Sequence, residues 1–130
     1  MNAASALAIV RKYLAASEAR RLDEARRFLA PDAELSFPGG GYGSLEEMVA
    51  AAAGRYRWVK KAPTEWDAAG RADGTVVVVT AGTLFGENLF GVPFEGVRYI
   101  DRFELRDGKI TRQQVWNDLE VTGVLRRTNR

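Results

Sequence analysis

Hydrophobic and polar residues alternate along two segments near the end of the chain, and the dipeptide Asp107-Gly108 joins them. This pattern predicts a β-hairpin, because a type I′ turn needs positive φ at both central residues. Side chains of a strand point alternately to its two faces. One face of the first strand would carry Val97, Tyr99, Asp101, Phe103 and Leu105. A carboxyl group among apolar neighbours is costly to bury unless it is neutral, paired or hydrogen-bonded, so Asp101 is the first candidate functional residue.

Earlier in the chain, apolar residues recur at steps of three and four, which is typical of amphipathic helices. The spacing predicts helices over residues 3–19, 22–29 and 45–56. Tyr13 would lie on or beside the buried stripe of the first helix. Pro31 would stop the second helix. Ser44 and Glu47 form a capping box at the start of the third.

The remaining segments predict strands over residues 34–37, 58–69, 75–85, 96–106 and 109–118. In the second of these, one face would carry Trp58, Ala62, Thr64, Trp66 and Ala68, and the other face would carry Lys61, Glu65 and Asp67. Residues 38–43 are expected to form a flexible glycine-rich loop, and residues 86–95 a loop or wide hairpin. The polar tail from Arg126 is expected to be loose. Helices followed by strands, with no repeat or linker, predict one α+β domain spanning residues 1–130.

The amino-acid composition excludes several kinds of catalytic and metal site. The chain is 46% hydrophobic and 28% charged with a net charge of +2, as expected for a globular protein. It has no cysteine and no histidine, which excludes thiol chemistry, Ser-His-Asp triads and histidine-ligated metals. We expect no cofactor and no metal. No motif for reading nucleic acid, secretory signal or stretch of ~20 apolar residues is visible, so no nucleic acid or membrane partner and a cytoplasmic location are expected.

Four stretches of the sequence resemble the nuclear transport factor 2-like superfamily, in particular its SnoaL-like and ketosteroid-isomerase-like branches. They are residues 9–16 (IVRKYLAA), 21–25 (RLDEA), 28–35 (FLAPDAEL) and 107–110 (DGKI). The resemblance implies a cystatin-like cone, with three N-terminal helices packed on a strongly curved, mostly antiparallel sheet. It also implies one deep apolar pocket for a small hydrophobic ligand, and a homodimer.

The resemblance also implies roles for single residues. Tyr13 falls where ketosteroid isomerases have the tyrosine of their oxyanion hole, and Asp101 where they have its protonated aspartic acid. These two are the candidate catalytic residues. The aspartate base of that family would fall at Phe37, which cannot accept a proton. Two of the three functional groups therefore match, and the proton carrier is missing.

Further pocket candidates come from the strands. Gln113, Val115 and Asn117 would share the face that lines the pocket by resemblance, whereas Gln114, Trp116 and Asp118 would share the other face. A β-bulge would swap the two faces, so Asp118 remains a candidate. The aromatic candidates for the core or the pocket wall are Phe37, Trp58, Trp66 and Phe103.

Three functions remain open at this point. The first is a cofactor-independent isomerase, cyclase, dehydratase or hydrolase acting on a small hydrophobic carbonyl or polycyclic compound. The second is a non-catalytic protein that binds a hydrophobic ligand, which the missing base at Phe37 favours. The third is a dimeric assembly module. For Asp101 the structural alternative is an ion pair with Arg112 or another arginine, which would depress the pKa of the carboxyl group.

Overall fold

Residues 1–129, which the computed structural model describes, form four α-helices, six β-strands and one 3₁₀ turn. The helices are α1 (Ala3–Glu18), α2 (Leu22–Arg26), α3 (Leu45–Ala53) and α4 (Leu119–Thr122), and the 3₁₀ turn is Val124–Arg126. The strands are β1 (Leu29–Phe37), β2 (Gly40–Tyr42), β3 (Tyr56–Gly70), β4 (Val76–Asn88), β5 (Pro93–Arg106) and β6 (Lys109–Asn117). Within this part of the chain, no helix is long and apolar enough to cross a membrane.

All six strands belong to one curved sheet in the order β2-β1-β6-β5-β4-β3. The pair β1–β6 is parallel and every other pair is antiparallel. The β5–β6 turn has the predicted form, because Asp107 and Gly108 have φ of 51° and 80° and Arg106 pairs with Lys109. The α+β cone expected from the sequence is therefore present.

Helix α1 lies against the concave face of the sheet and buries one stripe. Ala6, Val10, Tyr13 and Ala16 are fully buried in the main core, together with Phe103 of β5. The helix begins at Asn2, whose side chain accepts a hydrogen bond from the Ser5 amide at 2.8 Å. Burial of this apolar stripe, rather than helix propensity, is what holds α1 in place.

Strand β3 contains two irregularities that decide which side chains face inward. Its pairing with β4 shifts between Tyr56 and Trp58, and again between Pro63 and Glu65. Each shift lies near a glycine of β4, because Gly86 pairs with Val59 and Gly82 with Pro63. A Cβ on Gly82 would be 2.3 Å from the Ala62 carbonyl oxygen, and one on Gly86 would be 2.2 Å from that of Trp58. Only glycine allows this close backbone approach.

These bulges correct the predicted faces of β3. Trp66 and Ala68 pack against the core as expected, but Trp58 points outward and is 41% exposed. Lys61, placed on the outer face by simple alternation, points inward instead. The reason is the extra residue at Thr64, which inverts the alternation on its N-terminal side.

The first two strands also differ from the prediction. Strand β1 is longer than residues 34–37, because residues from Leu29 onward pair with β6. The glycine-rich segment does not remain a loop: Gly40–Tyr42 pairs back onto β1 through a two-residue turn at Pro38-Gly39. Gly39 takes the positive φ of 94° that the second turn residue needs.

The ends of several helices and strands also differ from the bounds predicted from the sequence. Helices α2 and α3 are shorter than predicted, and β4 and β5 take up most of residues 86–95. Arg126 belongs to the 3₁₀ turn rather than to a loose tail, whereas Arg130 lies outside the described residues. The buried Asn88 side chain holds this end of the chain, because its Nδ2 donates to the carbonyl oxygens of Val124 and Arg127 at 2.9 and 2.8 Å.

Candidate active site

A cavity of about 100 Å³ opens between α1, α3 and the concave face of the sheet. Each surrounding element contributes to its wall, through Tyr13 of α1, Phe37 of β1, Met48 of α3, Lys61 of β3 and Gln113 of β6. Typical pockets for drug-sized ligands have volumes of roughly 300–1,000 Å³. The cavity in this form is therefore suited to a small molecule or to one end of a larger one.

Next to the cavity, Asp101 forms an ion pair with Lys61. The Asp101 side chain is 0% exposed, and its Oδ2 lies 3.3 Å from Nζ of Lys61, whose side chain is 28% exposed. Among the described residues, no group donates a hydrogen bond of good geometry to either carboxylate oxygen. Lys61 is therefore the counter-charge of Asp101, and the predicted alternative of an arginine partner is wrong. Arg112 contacts Glu34 and Glu104 instead.

Burial and charge oppose each other in this pair. Burial raises the pKa of Asp101 above the ordinary aspartate value, and the positive charge of Lys61 only partly offsets this. Burial is the largest single influence on Lys61 and would lower its pKa, but the charge and close contact of Asp101, with smaller contributions from Tyr99 and Tyr56, together outweigh it and raise the pKa. Lys61 is consequently an ammonium ion at neutral pH, which makes it a hydrogen-bond donor rather than a base.

Tyr13 has a different partner. Its hydroxyl donates to Oε1 of Gln113 at 2.6 Å, and its ring packs edge-on against Phe103 with centroids 6.0 Å apart. Burial raises the pKa of Tyr13, the nearby Ser17 hydroxyl only partly offsets this, and the charge of Asp101 adds a smaller increase. The phenol therefore stays protonated, and its proton is committed to Gln113 rather than to Asp101.

The predicted site residues differ in their position relative to the cavity. Tyr13, Phe37 and Gln113 line the cavity. Phe103 and Val115 are buried, but they lie behind the lining. Asp101 contacts the cavity only through Lys61.

The other predicted ligand contacts lie away from this cavity. Trp58 stacks edge-on against Phe85 on the outside of the sheet, and Trp66 lies under the Arg11 guanidinium in a groove beside α1. Asn117 and Asp118 border a groove on the convex face. Asp118 accepts a hydrogen bond from Arg98 at 2.7 Å, and Asn117 accepts one from the Leu119 amide at 3.2 Å.

Sequence reasoning missed Lys61 and Glu18 as residues of the cavity wall. Glu18 is the one carboxylate in this wall among the described residues, and its Oε2 accepts a hydrogen bond from the Lys61 amide at 3.0 Å. A signal for Lys61 was present: Gly82 interrupts a β-branched strand, and an isolated glycine there suggests a bulge or close backbone approach. Across residues 1–129, no group of three acidic side chains is placed to hold a metal ion.

An α+β cone with a cavity between its first helix and its sheet defines a broad class of small domains. Residues 10–113 match the SnoaL-like domain model. Because that match covers more than half of the chain, the protein belongs to the SnoaL-like family. No curated protein matches the chain.

Solved structures agree on the fold. The structure of TerC co-crystallised with polyporic acid has a TM-score of 0.80 and 20% identity, covering 95% of this chain and 99% of that one. An NTF2-like protein of unknown function from Burkholderia pseudomallei has a TM-score of 0.78 and 18% identity, with coverage of 96% and 98%. A putative polyketide cyclase from Xanthomonas campestris has a TM-score of 0.66 and 18% identity, with coverage of 96% and 99%.

The opposite environments of two aspartates give a direct test of the site's electrostatics. Asp101 should titrate above 3.8, because burial disfavours its charged form. Asp73 should titrate below 3.8, because the Thr75 amide donates to it. The folded chain then binds the Asp101 proton more tightly than the unfolded chain does. Lowering the pH from neutral through the pKa of Asp101 in the folded protein should therefore increase the contribution of this residue to the free energy of unfolding.

Carboxyl-carbon NMR of the labelled protein measures both values, and Asp101→Asn identifies the resonance. An Asp101 pKa at or below that of Asp73 would contradict the description of the buried pair.

Proposed function

We propose that this protein is a small-molecule enzyme that moves a proton on a carbonyl compound without a cofactor. The observation that supports this most is the position of Lys61, an ammonium group at the cavity wall whose counter-ion is fully buried. A fixed positive charge at a partly buried site stabilises negative charge that develops on a substrate oxygen. The buried carboxylate keeps the ammonium in one place.

In this proposal Lys61 Nζ donates a hydrogen bond to the carbonyl oxygen of the substrate. The free carboxylate oxygen of Glu18, on the adjacent wall, accepts a proton from the carbon next to that carbonyl. The C–H electrons then form the enolate double bond, and its oxygen keeps its charge beside Lys61. Return of the proton to the same or another carbon completes an exchange or isomerisation. Tyr13 and Gln113 position the ring or chain of the substrate.

The volume of the cavity limits the size of the substrate that this proposal allows. A cavity of 100 Å³ is smaller than the engineered ~150 Å³ cavity that holds benzene. A polycyclic compound would therefore fit only if side chains at the mouth, such as Met48 and Arg55, moved outward. TerC was co-crystallised with polyporic acid, which supports ligand binding in a related fold. A monocyclic carbonyl compound is the better candidate here, because one ring requires the smallest outward movement of the lining side chains.

A non-catalytic binding protein is the second candidate function. The commitment of the Tyr13 hydroxyl to Gln113 and the apolar Phe37 favour it, because neither residue can accept a proton from a ligand. The two candidates differ only in turnover, so a single assay separates them.

Deuterium exchange at the α-carbon of small cyclic ketones, followed by proton NMR in D₂O, tests the catalytic proposal. We expect exchange above the buffer rate, and a loss of about 100-fold in Lys61→Met, the magnitude typical of removing an oxyanion donor. Lys60→Met is the matched control, because Lys60 lies over the exposed Trp58 ring outside the cavity. Lys61→Arg should keep part of the rate if charge is what matters.

Equal exchange rates in the wild type and in a folded Lys61→Met protein would remove Lys61 from the mechanism. Ketone binding without any exchange would favour the binding protein.

We also propose that the chain forms a homodimer through the convex face of the sheet. Ile100 and Trp116 are paired across β5 and β6, and Trp116 is 53% exposed. They border a groove over Gly82. The Arg98–Asp118 ion pair at its edge carries both signs of charge, so a two-fold axis would bring each charge close to its opposite. An exposed apolar pair of this kind suits a subunit contact.

Light scattering after gel filtration measures the mass of the wild type and of Trp116→Glu. We expect a dimer that Trp116→Glu converts to monomer, because a buried unpaired carboxylate is costly. Val121→Glu is the control, since Val121 is 82% exposed and lies on α4. A monomeric wild type, or a dimer that survives Trp116→Glu, would contradict this contact.

A further inference from the structure

We infer that the cavity selects a ligand carrying a carboxylate or an equivalent oxygen anion. This inference rests on the proposed function, in which the cavity is the ligand site, and adds the charge of the ligand. It is carried by the set of charged and polar groups in the wall.

Most of the charged side chains that line the cavity are cationic. Arg20, Arg55 and Lys61 all line the cavity, whereas Glu18 is the one acidic residue of its described lining. The charge of Lys61 is balanced by Asp101 beneath it. The two arginines then face one carboxylate, which leaves the cavity with a net positive charge.

The two arginines of the cavity wall form no ion pairs with the described residues. Neither Arg20 nor Arg55 makes a salt bridge with any residue between positions 1 and 129. Arg20 donates through Nη1 to the Ser17 carbonyl oxygen at 3.1 Å, which holds it at the end of α1. Arg55 is half-buried at the end of α3. Most other arginines among the described residues contact a carboxylate, and Arg20 and Arg55 belong to the minority that does not.

A second, independent observation is an unused hydrogen-bond donor in the same wall. Ser17 lines the cavity and is 8% exposed, and although its Oγ lies near enough to the Tyr13 hydroxyl to influence the pKa of that group, it makes no hydrogen bond of good geometry among the described residues. The side-chain amide of Gln113 adds another donor, because its Oε1 accepts from Tyr13 and its NH₂ group remains. Buried hydroxyl groups normally find a partner. An anionic oxygen in this cavity would accept from Ser17 as well as from the cations.

The rest of the wall indicates what carries the charge. Phe37, Tyr42 and Met48 supply an apolar surface opposite the cationic residues, and the rings of Phe37 and Tyr42 are 5.4 Å apart. A small aromatic or cyclic acid matches both halves of the cavity. A neutral ring of equal size would leave Arg55 and Ser17 without a partner.

Benzoate and benzamide form a matched pair of probes, equal in shape and different in charge. Calorimetry at neutral pH and low salt should give benzoate a dissociation constant at least about tenfold lower than that of benzamide, as expected for charge-assisted hydrogen bonds. Arg55→Gln should weaken benzoate by about tenfold and change benzamide less than about twofold. Amide and side-chain NMR shifts should place both probes beside Lys61 and Ser17.

Arg57→Gln is the control for net charge, because Arg57 pairs with Glu87 outside the cavity. It should leave both affinities unchanged. Equal affinity for benzoate and benzamide, with shifts in the cavity, would overturn the charge preference and leave the proposed function intact. Failure of both probes to bind, or shifts only outside the cavity, would overturn this inference together with the cavity as a ligand site.

Discussion

Burying the carboxylate of Asp101 inside an apolar sheet face creates a requirement for positive charge close to it. An unpaired buried carboxylate would either be protonated or destabilise the fold by several kcal/mol. Lys61 meets the requirement, but only because a bulge at Thr64 turns its side chain inward, and the bulge in turn requires glycine at position 82. One electrostatic constraint therefore links the conformation of two adjacent strands with the chemistry of the cavity.

In the proposed function, the same pair supplies the cationic group of the site in a domain that has no histidine and no cysteine. Lys61 has a buried partner on one side and the cavity on the other, so its ammonium group is held in place for a ligand oxygen. Tyr13 and Gln113 are engaged with each other and form a polar wall beside it. The fold itself does not decide the reaction, because cones of this class support many functions. In the proposed function, the cationic groups in the wall and the acid Glu18 next to them would decide it.

The fold was largely predictable from the sequence, and the site only partly. Periodicity identified α1 with Tyr13 inside, and alternation placed Asp101 on the buried face of β5, because α1 is one continuous helix and β5 pairs with β4 without a shift from Val97 to Leu105. Alternation failed in β3, where a single extra residue moved Trp58 outward and Lys61 inward. The partner of Asp101 was therefore missed. The 3₁₀ turn near the end of the chain was missed as well, because distant contacts hold it, such as the hydrogen bonds from Asn88 to Val124 and Arg127.

A double-mutant cycle on the unfolding free energy tests the central claim most directly. Lys61→Met is expected to cost about 3 kcal/mol or more, because it leaves the fully buried Asp101 without a counter-charge, and Asp101→Leu is expected to cost less, because the Lys61 ammonium is partly exposed at the cavity. The double variant removes both charges and should be less destabilised than the sum of the two by at least about 1.5 kcal/mol. Urea denaturation monitored by tryptophan fluorescence provides the four values. Additive effects, within about 0.5 kcal/mol, would show that the two residues do not form the pair on which this account depends.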